Sequence, residues 1–199
     1  MKEIWLSIAY LGTVSYYHKI EESEIVYFEA HESFEKQSWR NRMRILAANG
    51  PMDLCIPVIK GHSPNQPIRD VQIDYAENWQ KVHFKSVESA YRHAPYYEYL
   101  IDDLRWIWDN REKYLFDYDL KITDCILKMM QARATVKLTE TYQKPGFYGE
   151  SDYRYLIHPK AKKQGTGENP VPYHQVFSDR YGFVKDLSVI DWLFNDFRI

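Results

Sequence analysis

Cysteine is scarce in this chain, with only Cys55 and Cys125 among 199 residues. Two thiols build neither a disulfide framework nor a four-ligand zinc site. The seven histidines show no HxH, HxxxH or HExxH spacing, so a local metal-binding element is missing too. No GxGxxG, GxxxxGK[ST], GxSxG or CxxC occurs, which argues against dinucleotide-binding, P-loop and α/β-hydrolase readings. No apolar run approaches the roughly 18 residues of a membrane span, and "IWLSIAYLG" lacks the length and cleavage pattern of a secretory leader. The net charge of −2 leaves no global footprint for nucleic acid. These absences describe a soluble, cytoplasmic protein with no metal, no cofactor, no nucleic-acid partner and no integral membrane segment.

Aromatic residues are what the chain has in excess: 17 Tyr, 6 Trp and 9 Phe. Tyr and Trp join an apolar body to a polar tip, which suits thick cores and ligand clefts alike. The length fits a single domain over 1–199. "EIWLSIAYL" reads as a buried strand, "GTVSYYHKIEES" as a short helix capped by Thr13 or Ser15, and "EIVYFEA" as a second strand. That order predicts a βαβ start with a parallel pair, and ligands in such sheets bind beyond the carboxyl ends of the strands. Here those ends are "AYLGTVSYY" and "AHESFEKQSWRNR". Asn49-Gly50 predicts a hairpin within "RMRILAANGPMDLCIPVIK". "IRDVQID" has strand character. Asn78 is placed to cap "WQKVHFKSVESAYRHA", two further amphipathic helices follow, and "TVKLTE" reads as a last strand. The segment 141–177 is rich in Gly, Pro and Tyr and reads as a loop or lid, with "GTGENP" as a flexible connector. "DLSVIDWLFNDF" then reads as a helix docked on the core. The fold class is α/β: a βαβ start with a mixed sheet, a hairpin, central helices and a long irregular C-terminal segment.

Chemistry concentrates in "SWRNRMRI". In an extended strand Arg40, Arg42 and Arg44 share one face, about 7 Å apart. Such a row can clamp a phosphate or carboxylate. It can equally be the charged solvent face of an edge strand. His83 falls on the apolar face of its helix, where a satisfied core histidine is the commoner role. His158 and His174 lie in the irregular segment, where acid–base work is more plausible.

The stretches "YLGTVSYY", "SWRNRMRI", "LCIPVIKG", "NWQKVHFKSVESAYRHAPYYEYL" and "LSVIDWLFN", in this order, resemble the WbqC-like protein family, in the version found in Bacteroidetes-type bacteria. The resemblance implies motif positions at Asn41, Arg42, Arg44, Trp79, His83 and Asp191. It also implies a bacterial setting in surface-polysaccharide (O-antigen-type) biosynthesis. There a transferase would move a group from an anionic activated donor to a sugar. A non-catalytic binder of nucleotide sugars or polysaccharide intermediates is the alternative, and a purely structural role for the arginines is a third reading. The family turn Q-P-x-x-x-P is replaced here by "AYLGTVSYY", which leaves this member's chemistry open. On the enzyme reading, His83 and His158 are the catalytic candidates. Tyr10, Tyr16, Trp39, Asn41, Arg42, Arg44 and Trp79 are the candidates for binding an anionic small-molecule substrate.

Overall fold

A computed structural model describes residues 2–59, 61, 65–160 and 171–197. The expected connector "GTGENP" (165–170) lies outside the described residues. Strand β1 (Glu3–Leu6), helix α1 (Val14–Glu21) and strand β2 (Ile25–Phe28) form the expected βαβ unit, with β1 and β2 parallel and Glu3 in register with Ile25. Thr13 Oγ1 accepts the Tyr16 amide and so caps α1. β1 stops five residues earlier than its apolar run, because Ser7–Leu11 turn into a packed loop. In that loop Leu11 holds a left-handed φ of 44° with its side chain fully buried. The strain is held in place by Ser188, whose hydroxyl donates to the Leu11 carbonyl.

Strands β3 (Arg42–Ala47) and β4 (Gly50–Cys55) are antiparallel and form a separate two-stranded sheet. The turn between them uses Gly50 at φ 107°, a conformation that favours glycine. "IRDVQID" does not form a strand. Ile68–Asp70 make a single 3₁₀ turn, and Gln72 and Ile73 contribute only isolated bridges. Pro67 opens this turn, and burial of Ile68, Val71 and Ile73 decides its path.

Asn78 caps α2 (Trp79–Tyr91), with its side-chain oxygen accepting the Lys81 amide. Helices α3 (Tyr97–Asp109) and α4 (Leu115–Met129) follow, and each turns an apolar stripe inward. Strand β5 (Thr135–Leu138) then adds in parallel to β2, giving the order β1-β2-β5. After the one-turn helix α5 (Ser178–Tyr181), helix α6 (Val189–Asp196) docks as expected. Its start is tied to the β1–α1 turn by Val189 N–H to Gly12 O (2.8 Å) and Val14 N–H to Leu187 O (2.9 Å). Ser188 N–H also donates to Arg44 O at 2.7 Å, so the C-terminal segment joins the turn to the hairpin.

Candidate active site

The arginine comb is broken at its first tooth. Arg40 belongs to a 3₁₀ turn, Trp39–Asn41, ahead of β3. Its guanidinium turns into the protein, donating from Nε to Glu32 Oε1 (2.7 Å) and from Nη2 to Glu32 Oε2 (2.6 Å) and Ser7 Oγ (2.9 Å). Burial works against the charge on Arg40, and the Glu32 carboxylate outweighs it, so its pKa stays above the usual value. Arg42 and Arg44 do share a strand face. Both reach the same carboxylate, Asp53 on β4: Arg42 Nη1 at 3.0 Å, Arg44 Nε at 2.6 Å. Two guanidiniums on one carboxylate leave a surplus positive charge at a half-buried face. Arg44 also lies over the Trp39 ring, 5.5 Å from its centroid. Arg42 Nε is buried with no hydrogen-bond partner among the described residues.

The other site candidates separate into two groups. Tyr10, Trp79 and His83 gather inside an aromatic nest. Tyr10 Oη lies 3.1 Å from His83 Nδ1 and accepts the Trp108 indole N–H at 3.0 Å. Trp79 packs on His83 with ring centres 5.0 Å apart. Burial pushes the His83 pKa down to about 4, opposed by its hydrogen bond to the backbone of Cys55, which pairs with Arg42 across the hairpin. His83 is therefore a neutral core histidine at pH 7. Burial also raises the Tyr10 hydroxyl far above its usual range.

The second group is at the carboxyl ends of β1 and β2. Tyr16 donates its hydroxyl to the Ser7 carbonyl at 2.9 Å. With Trp39, Arg40 and His158 it borders a cavity of 10 Å³, room for about one water. Trp39 accepts the Tyr10 amide on its carbonyl, and Asn41 fixes the loop beyond β4 by donating to the Ile56 carbonyl (2.8 Å). His158 has its Nδ1 occupied by the Lys160 amide at 3.1 Å, so the neutral ring carries its proton on Nε2. That nitrogen faces Glu35 Oε1 at 3.5 Å. Burial lowers the His158 pKa; Glu35 opposes this, while Arg40, Lys160 and Arg42 add to it.

Glu35 was not singled out from the sequence, although it lies in the strand-end stretch "AHESFEKQSWRNR". Its carboxylate sits between His158 Nε2 and Arg40 Nη1 (3.6 Å) and opens into a crevice of 400 Å³. His31, Phe34, Tyr142 and Tyr155 form the walls of that crevice. Burial raises the Tyr155 hydroxyl to about 12, with Glu32 contributing. The far wall is positioned by Arg154, whose side chain is fully buried. It pairs with Glu29 (2.8 Å) and Asp152 (2.7 Å) and donates to the Gln143 and Lys144 carbonyls. No spacing in the sequence announces Arg154; only the packing shows that it ties this segment to the end of β2. Asp191 has a comparable fixing role, accepting from Tyr173 (2.6 Å) and Gln175 (3.0 Å).

Chemically, the arrangement offers a half-buried carboxylate near an imidazole and a guanidinium, aromatic walls, and a cationic face next to Trp39. Among the described residues no cluster of three His, Cys, Asp or Glu side chains could hold a metal ion, and no helix is long and apolar enough to cross a membrane. No curated protein and no solved structure matches the chain. The family model of the WbqC-like protein family matches residues 9–158, more than half of the chain, and the protein belongs to that family.

Proposed function

We propose that this WbqC-like protein is a transferase of bacterial surface-polysaccharide (O-antigen-type) assembly, moving a group from an anionic activated donor to a sugar. The observation that carries the reading is Glu35, whose carboxylate lies 3.5 Å from His158 Nε2 and 3.6 Å from Arg40 Nη1, ion-pair distances without a hydrogen bond, at the mouth of a tyrosine-walled crevice. A sugar hydroxyl placed there gives its proton to the Glu35 carboxylate, with His158 steadying the pair. The hydroxyl oxygen bonds to the transferred group, and the bond from that group to the donor's phosphate or thiolate breaks. The negative charge stays on the leaving group, which Arg42 and Arg44 hold. His83 takes no part in proton transfer on this reading, because its ring is enclosed and Tyr10 and Cys55 occupy it.

Both ring nitrogens of His158 face protein atoms rather than open space. That favours one second reading, a non-catalytic binder of nucleotide sugars or polysaccharide intermediates. Mass spectrometry of mixtures of nucleotide sugars or acyl-CoA donors with sugar acceptors separates the two. A new mass that forms with the wild type and is lost in Glu35→Gln supports transfer. Tight binding without any product, under single-turnover conditions, supports the binder.

A further inference from the structure

The roomiest hollow among those described lies away from the strand ends, between the β3–β4 hairpin and α2. It has a volume of 530 Å³, within the range of small-molecule sites. Its floor is made of small or pliable side chains, Ala47, Met52 and Ala90, and Ser86 and Ser89 supply hydroxyls along the helix. Val82 stands 60% exposed at its edge, an apolar side chain with nothing over it among the described residues. Lys81 and Lys85, one helical turn apart, form a cationic lip, and none of the ten lining residues is acidic. Lys85 pairs with Glu88 on the surface and lies 5.9 Å from the Phe84 ring centre, contacts that a doubly charged ligand readily replaces. At the hairpin tip Arg180 donates to the carbonyl of the lining residue Ala48, so a third cation stands beside the groove. In a chain with a net charge of −2, this local excess of positive charge over an apolar floor is complementary to a ligand that joins a phosphate to a flat apolar body.

We infer that this groove binds a nucleoside phosphate, with the base against Ala47, Met52 and Ala90 and the phosphate at Lys81 and Lys85. The site is separate from the Arg42–Arg44 face. Met52 points into the groove, whereas Asp53, its neighbour, points to the opposite face of the hairpin and carries both arginines.

The test is amide NMR of the full chain titrated with adenosine 5′-monophosphate and uridine 5′-monophosphate, with adenosine and inorganic phosphate as separate controls. The expected result is shifts concentrated at residues 47–52 and 78–90, with both nucleotides binding at least tenfold tighter than either control. Lys81→Gln with Lys85→Gln should cut the affinity about tenfold, and Ala48→Glu should cut it too, while Lys128→Gln, an exposed change on α4 away from the groove, leaves it unchanged. Absence of shifts in the groove, or shifts confined to Trp39, Arg42 and Arg44, overturns the groove site. The second outcome would still leave the strand-end reading intact. Equal binding by adenosine alone would overturn the phosphate assignment.

Discussion

Arg40 and Glu32 form a two-point ion pair in the interior, Nε to Oε1 at 2.7 Å and Nη2 to Oε2 at 2.6 Å, with side chains 3% and 1% exposed. This pair pins the 3₁₀ turn that presents Trp39 and starts the hairpin. Arg40→Ala strands a buried carboxylate and should cost about 3–5 kcal/mol. Replacing both partners together, Arg40→Met with Glu32→Leu, should cost much less. Denaturant unfolding of the two variants checks it; equal losses in the single and double variants would contradict the pair's buried character.

His83 sets an acid limit on stability. Its pKa of about 4 in the folded chain lies below the usual value near 6.5, so the unfolded chain binds more protons between those two pH values. Stability should therefore fall as pH drops from about 6.5 to 4, by up to about 3 kcal/mol from this group. NMR titration should show the His83 ring unprotonated down to about pH 5. Melting curves of His83→Gln should lose this part of the acid slope.

Asp119 acts in the opposite sense. It is fully buried on α4, and neither carboxylate oxygen has a hydrogen-bond partner among the described residues. Burial raises its pKa well above the usual value, so folding takes up a proton. Its penalty is small at low pH and grows as pH rises above the unfolded value near 4. Asp119→Asn should raise the melting temperature, and the gain should be larger at pH 8 than at pH 5. A gain that shrinks with pH would contradict a neutral Asp119.

Asp53 holds two arginines at a half-exposed face. Pairs of this kind are worth roughly 0–1 kcal/mol each, so Asp53→Ala should shift the melting temperature only slightly. It should also free positive charge at Arg42 and Arg44 and tighten binding of a phosphate-bearing ligand at that face by severalfold. Calorimetric titration at low and at high salt checks both parts, since the gain should shrink with salt.

Much of the scaffold was readable from local chemistry. Thr13 and Asn78 cap the helices they were expected to cap, and Asn49-Gly50 turns the hairpin. The βαβ order predicted the parallel pair and pointed to the strand ends, where the crevice opens. Alternation failed at Arg40 because a buried carboxylate eight residues upstream captured it, a pairing that no strand period encodes. Glu35, Tyr142 and Tyr155 come together only because Arg154 draws a distant loop onto the end of β2. His83, on an apolar helix face, and His158, in an irregular segment, are both catalytic candidates in sequence, with a core role the commoner one for His83. Their surroundings separate them, an aromatic nest for one and a carboxylate at a crevice for the other.

Thermal melting of the wild type, Arg42→Lys and Glu35→Gln against nucleotide sugars, acyl-CoA and phosphosugars tests the central claim most directly. A ligand at about 100 times its Kd adds about 2.7 kcal/mol, a rise of about 5–10 °C for a chain of this size. The expected result, with Lys81→Gln and Lys85→Gln added to every variant so that the α2 groove does not contribute, is a donor that raises the melting temperature of the chain with Arg42 intact and of Glu35→Gln but not of Arg42→Lys. In that background, a donor shift that survives in Arg42→Lys, or an Arg42→Lys variant that is merely less stable while nothing in the panel shifts the chain with Arg42 intact, would contradict it.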